Sequence, residues 1–134
     1  MHRFTSSDPH TAAEETRAFK RLVDNLTKNT LWIYVLKLLK TRPFYGYELR
    51  KALEEHFSIT TTRVTSYVIL KKLEKEGLVT EVEYNEEPMT NGKPARIYYV
   101  ITPFGEELFQ LAAQLIRGVY SHLFSKSLSI TEDF

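Results

Sequence analysis

The sequence predicts a mainly α fold: a winged helix-turn-helix, built from a three-helix core and a β-hairpin wing, with an N-terminal helix before it and a long C-terminal helix after it. Three observations predict this. From Thr30 to Glu76, apolar residues recur at helical spacing in three successive segments with turn residues between them. Two short apolar segments then flank a polar loop containing Asn91-Gly92-Lys93-Pro94. Finally, Thr102-Pro103 opens a last apolar-rich stretch with a cap residue followed by proline.

The elements follow in order. Residues 1–7 read as a frayed end, and Asp8-Pro9 is a cap signal for a first helix. Ala12, Phe19, Leu22, Val23 and Leu26 give that helix one apolar stripe, and it is expected to end near Asn29. Leu31, Val35, Leu38 and Leu39 stripe the next helix, thickened by Ile33, Tyr34 and Leu36. Pro43 forbids its continuation, and Gly46 is expected to permit a sharp re-entry into a helix over 47–57. Leu49, Leu53 and Phe57 are that helix's core face. A Thr- and Ser-rich loop leads to a basic helix from Arg63 to Glu76, stopped by Gly77, with Val64, Tyr67, Leu70 and Leu73 as its expected buried stripe. Positions 62, 63, 65, 66 and 69 are then expected to point outward. Val79, Val82 and Tyr84 begin the first wing strand, and Ile97, Tyr99 and Ile101 alternate with Tyr98 and Val100 on the second.

The last helix is expected to run from Pro103 to about Phe124, with Glu106 and Glu107 favouring its first turn. Phe104, Leu108, Leu111, Leu115 and Val119 form one apolar stripe; Phe109, Ala112, Ile116 and Tyr120 form a second, about 100° round the wheel. A helix apolar on two faces needs two partners. A second copy of the chain is the economical partner, and packing against the chain's own first helix is the alternative; both can coexist. The expected organisation is residues 1–29 as arm and helix, 30–102 as the winged unit and 103–134 as dimerisation helix and tail.

Composition narrows the function. The chain of 134 residues has no cysteine, so disulfides and thiolate metal sites are excluded and a reducing, cytoplasmic setting is expected. No apolar run reaches the roughly 18–20 residues of a membrane span, and residues 1–20 lack the apolar region of a signal peptide. The Asn25-Leu26-Thr27 sequon is therefore taken as accidental. Net charge is only +1, but its distribution is uneven. From Lys28 to Lys72 nine Lys or Arg face three acids, and from Leu73 to Glu87 six acids face one Lys. A basic segment over the helix-turn-helix is an electrostatic footprint for double-stranded DNA, or else a set of solvated helix faces.

The candidate DNA contacts lie at the start of the third core helix. Thr61, Thr62, Arg63, Thr65 and Ser66 offer short hydroxyls and one long donor fork at a helix N-terminus, where phosphate is favoured. Arg63 has the reach to pair with guanine O6 and N7. Thr61 or Thr62 can instead be a plain N-cap. Lys71 and Lys72, two turns on, suit backbone contact or simple solvation. In the wing loop, Asn91, Lys93 and Arg96 stand ready for phosphate or minor groove, against the repulsion of Glu86 and Glu87.

Several motifs carry a resemblance. Tyr45-Gly46-Tyr47-Glu48-Leu49, Thr65 with Tyr67, residues 70–79 from Leu70-Lys71-Lys72 to Gly77-Leu78-Val79, and Arg96-Ile97-Tyr98-Tyr99-Val100-Ile101-Thr102 with Gly105 resemble the PadR family of transcriptional regulators. The resemblance covers roughly residues 30–110. It implies a homodimer, a recognition helix over 62–76 in the major groove, a wing over 86–96 on adjacent backbone or minor groove, and a repressor. It brings Tyr45 and Tyr67 into the DNA-contacting set. It places Phe19, Leu22 and Leu26 in the dimer interface with Leu108, Leu111, Ala112, Leu115, Ile116 and Val119. It also admits a small aromatic effector, which a C-terminal part this short would seat at the dimer interface. Trp32 is either core packing or the lining of such a site. The chain departs from the family pattern at Val64, where a Gly is usual, and at Arg63.

Two other classes compete. An enzyme finds little support: His2, His10, His56 and His122 are scattered without metal-ligand spacing, Glu81 and Glu83 share one exposed strand face, and no phosphate loop or nucleophile motif occurs, so no cofactor or metal is expected. A winged-helix module that binds protein rather than DNA is the second, favoured by the acidic 74–87 segment and the modest net charge.

Overall fold

The computed structural model describes residues 11–83 and 96–130. A single 3-10 turn, Ala13–Glu15, precedes α1 (Arg17–Leu26). The cap of α1 is Thr16, whose Oγ1 accepts from Phe19 N at 3.2 Å. The Asp8-Pro9 cap signal lies outside the described residues. A second 3-10 turn, Lys28–Thr30, leads into α2 (Leu31–Leu39). Thr27 Oγ1 donates to Val23 O at 2.7 Å and the Tyr34 hydroxyl donates to Leu26 O at 2.5 Å, so α1 and α2 are pinned where they meet. Leu31, Val35, Leu36, Leu38 and Leu39 are all buried, which makes α2 the central helix.

After Pro43 the chain forms a short strand, β1 (Phe44–Tyr45), where the sequence suggested only a turn. Gly46 does not take a left-handed backbone, so the re-entry does not depend on glycine. Tyr45 in extended conformation (φ −96°, ψ 165°) makes the corner instead, and Glu48 Oε1 accepts from Tyr45 N at 3.4 Å to hold it. α3 (Gly46–Phe57) buries Leu49, Ala52 and Leu53 and ends on Ser58, which is left-handed at φ 57°. α4 (Arg63–Lys75) follows a short connection in which Ile59 plugs the core.

α4 ends in a Schellman motif: Leu78 N donates to Leu73 O at 2.9 Å, Gly77 N to Glu74 O at 3.0 Å, and Gly77 supplies the required φ of 80°. β2 (Val79–Glu83) and β3 (Ile97–Ile101) then pair antiparallel, with Glu81 opposite Tyr99. β1 adds to the other edge of β3, Phe44 opposite Tyr99, giving sheet order β1-β3-β2. Tyr84 lies outside the described residues. One core joins α2, α3, α4 and this sheet, with Val35, Leu36, Leu49, Leu53, Leu70 and Val79 at its centre.

Thr102 caps α5 (Pro103–Tyr120), its Oγ1 accepting from Gly105 N at 3.0 Å, and a π turn, Ser121–Ser125, continues the helix. Leu108 and Phe109 pack on the core, with the Lys40 ammonium 4.6 Å from the Phe109 ring. Gly105 lies hard against the end of α4: a Cβ there would stand 2.2 Å from Leu78 O and 2.8 Å from Ile101 Cγ1. Backbone cannot yield as a side-chain tip can, so Gly105→Ala must move α5. The expected cost is about 1–3 kcal/mol, the range of overpacked cores, read as a lower urea midpoint at unchanged slope. An unchanged midpoint would show that α5 does not rest on Leu78.

Candidate DNA interface

The sequence placed the expected contacts on α4, but α4 is turned differently from that reading. Ser66, Leu70 and Leu73 face the core, while Val64 is 71% and Tyr67 59% exposed. The expected stripe of Val64, Tyr67, Leu70 and Leu73 advances three residues at each step. Each such step falls short of a full turn by about 60°, so the series winds round the helix, whereas 66, 70 and 73 stay in line. Ser66 therefore leaves the DNA-facing set: it is 2% exposed, and its Oγ lies 2.9 Å from Thr61 Oγ1. A small hydroxyl is buried without penalty once it has that partner.

The remaining residues of the helix start form a hydroxyl ladder. Thr62 is the N-cap: its Oγ1 accepts from Thr65 N at 3.0 Å and donates to Thr65 Oγ1 at 2.9 Å. Thr65 Oγ1 receives that hydrogen, so its own hydroxyl hydrogen is free to donate outward. Arg63 is exposed at the first helical position, beside the free N–H groups of the first turn. Donors, a cation and the positive helix end thus converge on one exposed spot, the arrangement that takes a phosphate or a base edge.

Lys71 is held by two carboxylates. Its Nζ lies 2.6 Å from Glu81 Oε1 and 3.3 Å from Glu74 Oε1, and it sits 5.7 Å from the Tyr67 ring and 5.9 Å from the Tyr99 ring. The Tyr99 hydroxyl also donates to Glu81 at 3.4 Å. The hydrogen bond from Lys71 holds the Glu81 carboxyl below the usual carboxylate range, and Glu81 in turn raises the Lys71 ammonium well above its ordinary value. Burial pushes the Tyr99 phenol up. Lys71 is thus a tie between α4 and the wing strand. Lys72, by contrast, is exposed.

A second patch forms at the start of α3. The Arg96 guanidinium lies 4.8 Å above the Tyr45 ring, which meets Tyr98 edge-on at 5.3 Å. Tyr45 is half-buried and serves as a platform that aims Arg96. Tyr47, 64% exposed one step along, belongs to the same surface, and the sequence reading did not single it out for DNA. Alternation would have found it: 45 and 47 flank a helix entry, where N–H groups lack partners. Asn91, Lys93 and most of the wing, 86–96, lie outside the described residues. Trp32 is half-buried and packed against the core. Among the described residues, no cluster of His, Asp or Glu is placed to hold a metal ion, and no helix is long and apolar enough to cross a membrane.

A basic, hydroxyl-rich helix start presented by a helix-turn-helix and flanked by a strand pair defines a DNA-binding winged-helix protein. Residues 35–111 match the Transcriptional regulator PadR-like family, and the chain belongs to that family. It is therefore a DNA-binding transcriptional regulator, and the family is one of regulators rather than enzymes. Solved structures agree. A PadR family transcriptional regulator from Eggerthella lenta DSM 2243 is 31% identical, covers 81% of this chain and 95% of its own, and superposes with a TM-score of 0.61. A PadR family regulator from hypervirulent Clostridium difficile R20291 is 26% identical over 68% of this chain and 94% of its own, at TM-score 0.56. A Streptococcus transcriptional regulator is 25% identical over 81% and 95%, at 0.54. No curated protein matches the sequence.

The Lys71 tie has a measurable signature. The double variant K71Q/E81Q removes both charges of the pair and leaves the net charge unchanged. Its affinity for DNA should fall with salt as steeply as the wild type's does. A slope shallower by roughly 0.9 per subunit would instead return Lys71 to the phosphate contacts.

Proposed function

We propose that the chain is a homodimeric repressor of a pseudo-palindromic operator, with recognition helix 62–76 in the major groove and the wing, 86–96, on adjacent backbone or minor groove. Arg63 is the base reader; Thr62, Thr65, Lys72 and the Tyr45–Arg96 pair fix the register on phosphate. The observation that carries the dimer is the apolar surface one chain leaves bare. Leu111, Leu115, Ile116 and Val119 on α5 are 53%, 69%, 50% and 49% exposed, and Leu22 and Leu26 on α1 are 49% and 50% exposed. Leu115, Val119 and Leu123 line a shallow groove along one side of α5 and the turn that continues it. Phe19, Leu108 and Ala112 are half-buried at its edge. The chain's own first helix does not cover it. Soluble proteins rarely leave an apolar surface of this kind uncovered, and a second copy matches it by symmetry. Seated across successive turns of duplex, such a dimer excludes other proteins from that stretch, which makes occlusion the simplest route to repression.

Two outcomes follow. Leu111→Glu with Leu115→Glu should convert the dimer to monomer by light scattering, or to insoluble protein; a soluble dimer would defeat the proposed interface. Arg63→Ala should cost about 1–3 kcal/mol on the best duplex and relax preference at one base pair per half-site, with a much smaller loss on unrelated duplex. Equal losses on both would make Arg63 a phosphate contact.

A further inference from the structure

We propose that the recognition helix reads thymine methyl groups through Val64 and Val68, an inference that rests on the DNA reading above. The two valines lie one turn apart on the side of α4 opposite Ser66, Leu70 and Leu73, and are 71% and 42% exposed. Neither belongs to the buried core. Exposed β-branched residues also weaken a helix slightly, because their χ1 freedom is lost against the preceding turn. That same stiffness holds their methyls at a fixed place in front of the helix.

The surroundings select the occupant. Arg63 precedes the pair, exposed Lys72 and Lys75 follow it, and Lys71 with Tyr67 flanks it on the side of β2. An apolar ridge between cations at both ends suits an apolar feature between two rows of phosphate. In the major groove that feature is the thymine C5-methyl, which no other base carries. Thr62 and Thr65 fix the helix start by bonding to each other, and the ridge runs outward from between them along the next turn of α4.

The test uses the full chain and a duplex it selects from a randomised pool. That duplex is resynthesised with deoxyuridine replacing thymidine one position at a time, which removes a methyl and leaves every hydrogen bond and phosphate in place. One or two positions per half-site should lose about fourfold in affinity each, the equivalent of ~0.8 kcal/mol for one buried methyl-sized group. Val64→Ala or Val68→Ala should abolish the difference between thymidine and deoxyuridine at one of those positions while the other positions keep theirs. Ala favours helix more than Val and the sites are exposed, so folding is preserved. Equal affinity for thymidine and deoxyuridine duplexes throughout would overturn the inference and leave the DNA reading intact. Methyl sensitivity that persists in both variants would overturn it as well, by assigning the readout to another residue. A pool that yields no enriched duplex would overturn the DNA reading and this inference together.

Discussion

The whole arrangement hangs on one side chain at the junction of two helices. Thr102 Oγ1 accepts from Gly105 N at 3.0 Å, and its single hydrogen goes to Gly77 O at 2.6 Å. Thr102 N donates to Leu78 O at 3.0 Å. One threonine thus caps the start of α5 and closes the end of α4, across the strand pair that separates them in sequence. Gly105 lets the two come into backbone contact, and Gly77 provides the left-handed residue that turns α4 off. The direction of α4 is therefore referred directly to the helix that carries the uncovered apolar surface. In a symmetric dimer that angle sets how far apart two recognition helices stand, and hence which half-site spacing they fit.

The side chains at the start of α4 and beside the wing strands hold one another in place. Thr62 and Thr65 hold each other, Thr61 holds Ser66, and Lys71 is shared between Glu74, Glu81 and two tyrosine rings. Tyr45 keeps Arg96 over its face. Side chains fixed in this way lose less freedom on binding, so more of their interaction energy is available for affinity. The ties also couple the reading helix to the wing strand: movement of β2 would pull on Lys71 and, through it, on the Tyr67 ring.

Helix boundaries were legible because single residues enforce them. Pro43, Gly77 and Thr102-Pro103 end or begin elements by their own chemistry: α2 and α4 end before the first two, and α5 starts at the third. The helices that supply the site were legible for the same reason. The phase of α4 was not, because Val64, Tyr67, Leu70 and Leu73 imitate a stripe while drifting round the helix. Neither was β1, since two residues are too few to display an alternation. The role of Lys71 depends on Glu81, ten positions away on another element, and the role of Tyr45 on Arg96. Charge type predicts that a lysine can meet phosphate; only packing decides whether a carboxylate has reached it first.

The two ends of α5 have different fates, and the difference bears on regulation. Near its start, Leu108 and Phe109 enter the core, while further along Leu111, Leu115 and Val119 remain in the open. A helix of this length gains little stability in water from its backbone alone, because nucleation is costly and propagation is nearly neutral. The anchored first turns of α5 are held by Thr102 and the core, but the distal turns depend on whatever covers them. Under the proposed dimer, order in the distal half of α5 and association of two chains are then one equilibrium. Anything that binds the paired form alone, duplex DNA first of all, stabilises that half in proportion to the logarithm of its concentration. In that arrangement operator affinity depends on chain concentration in solution.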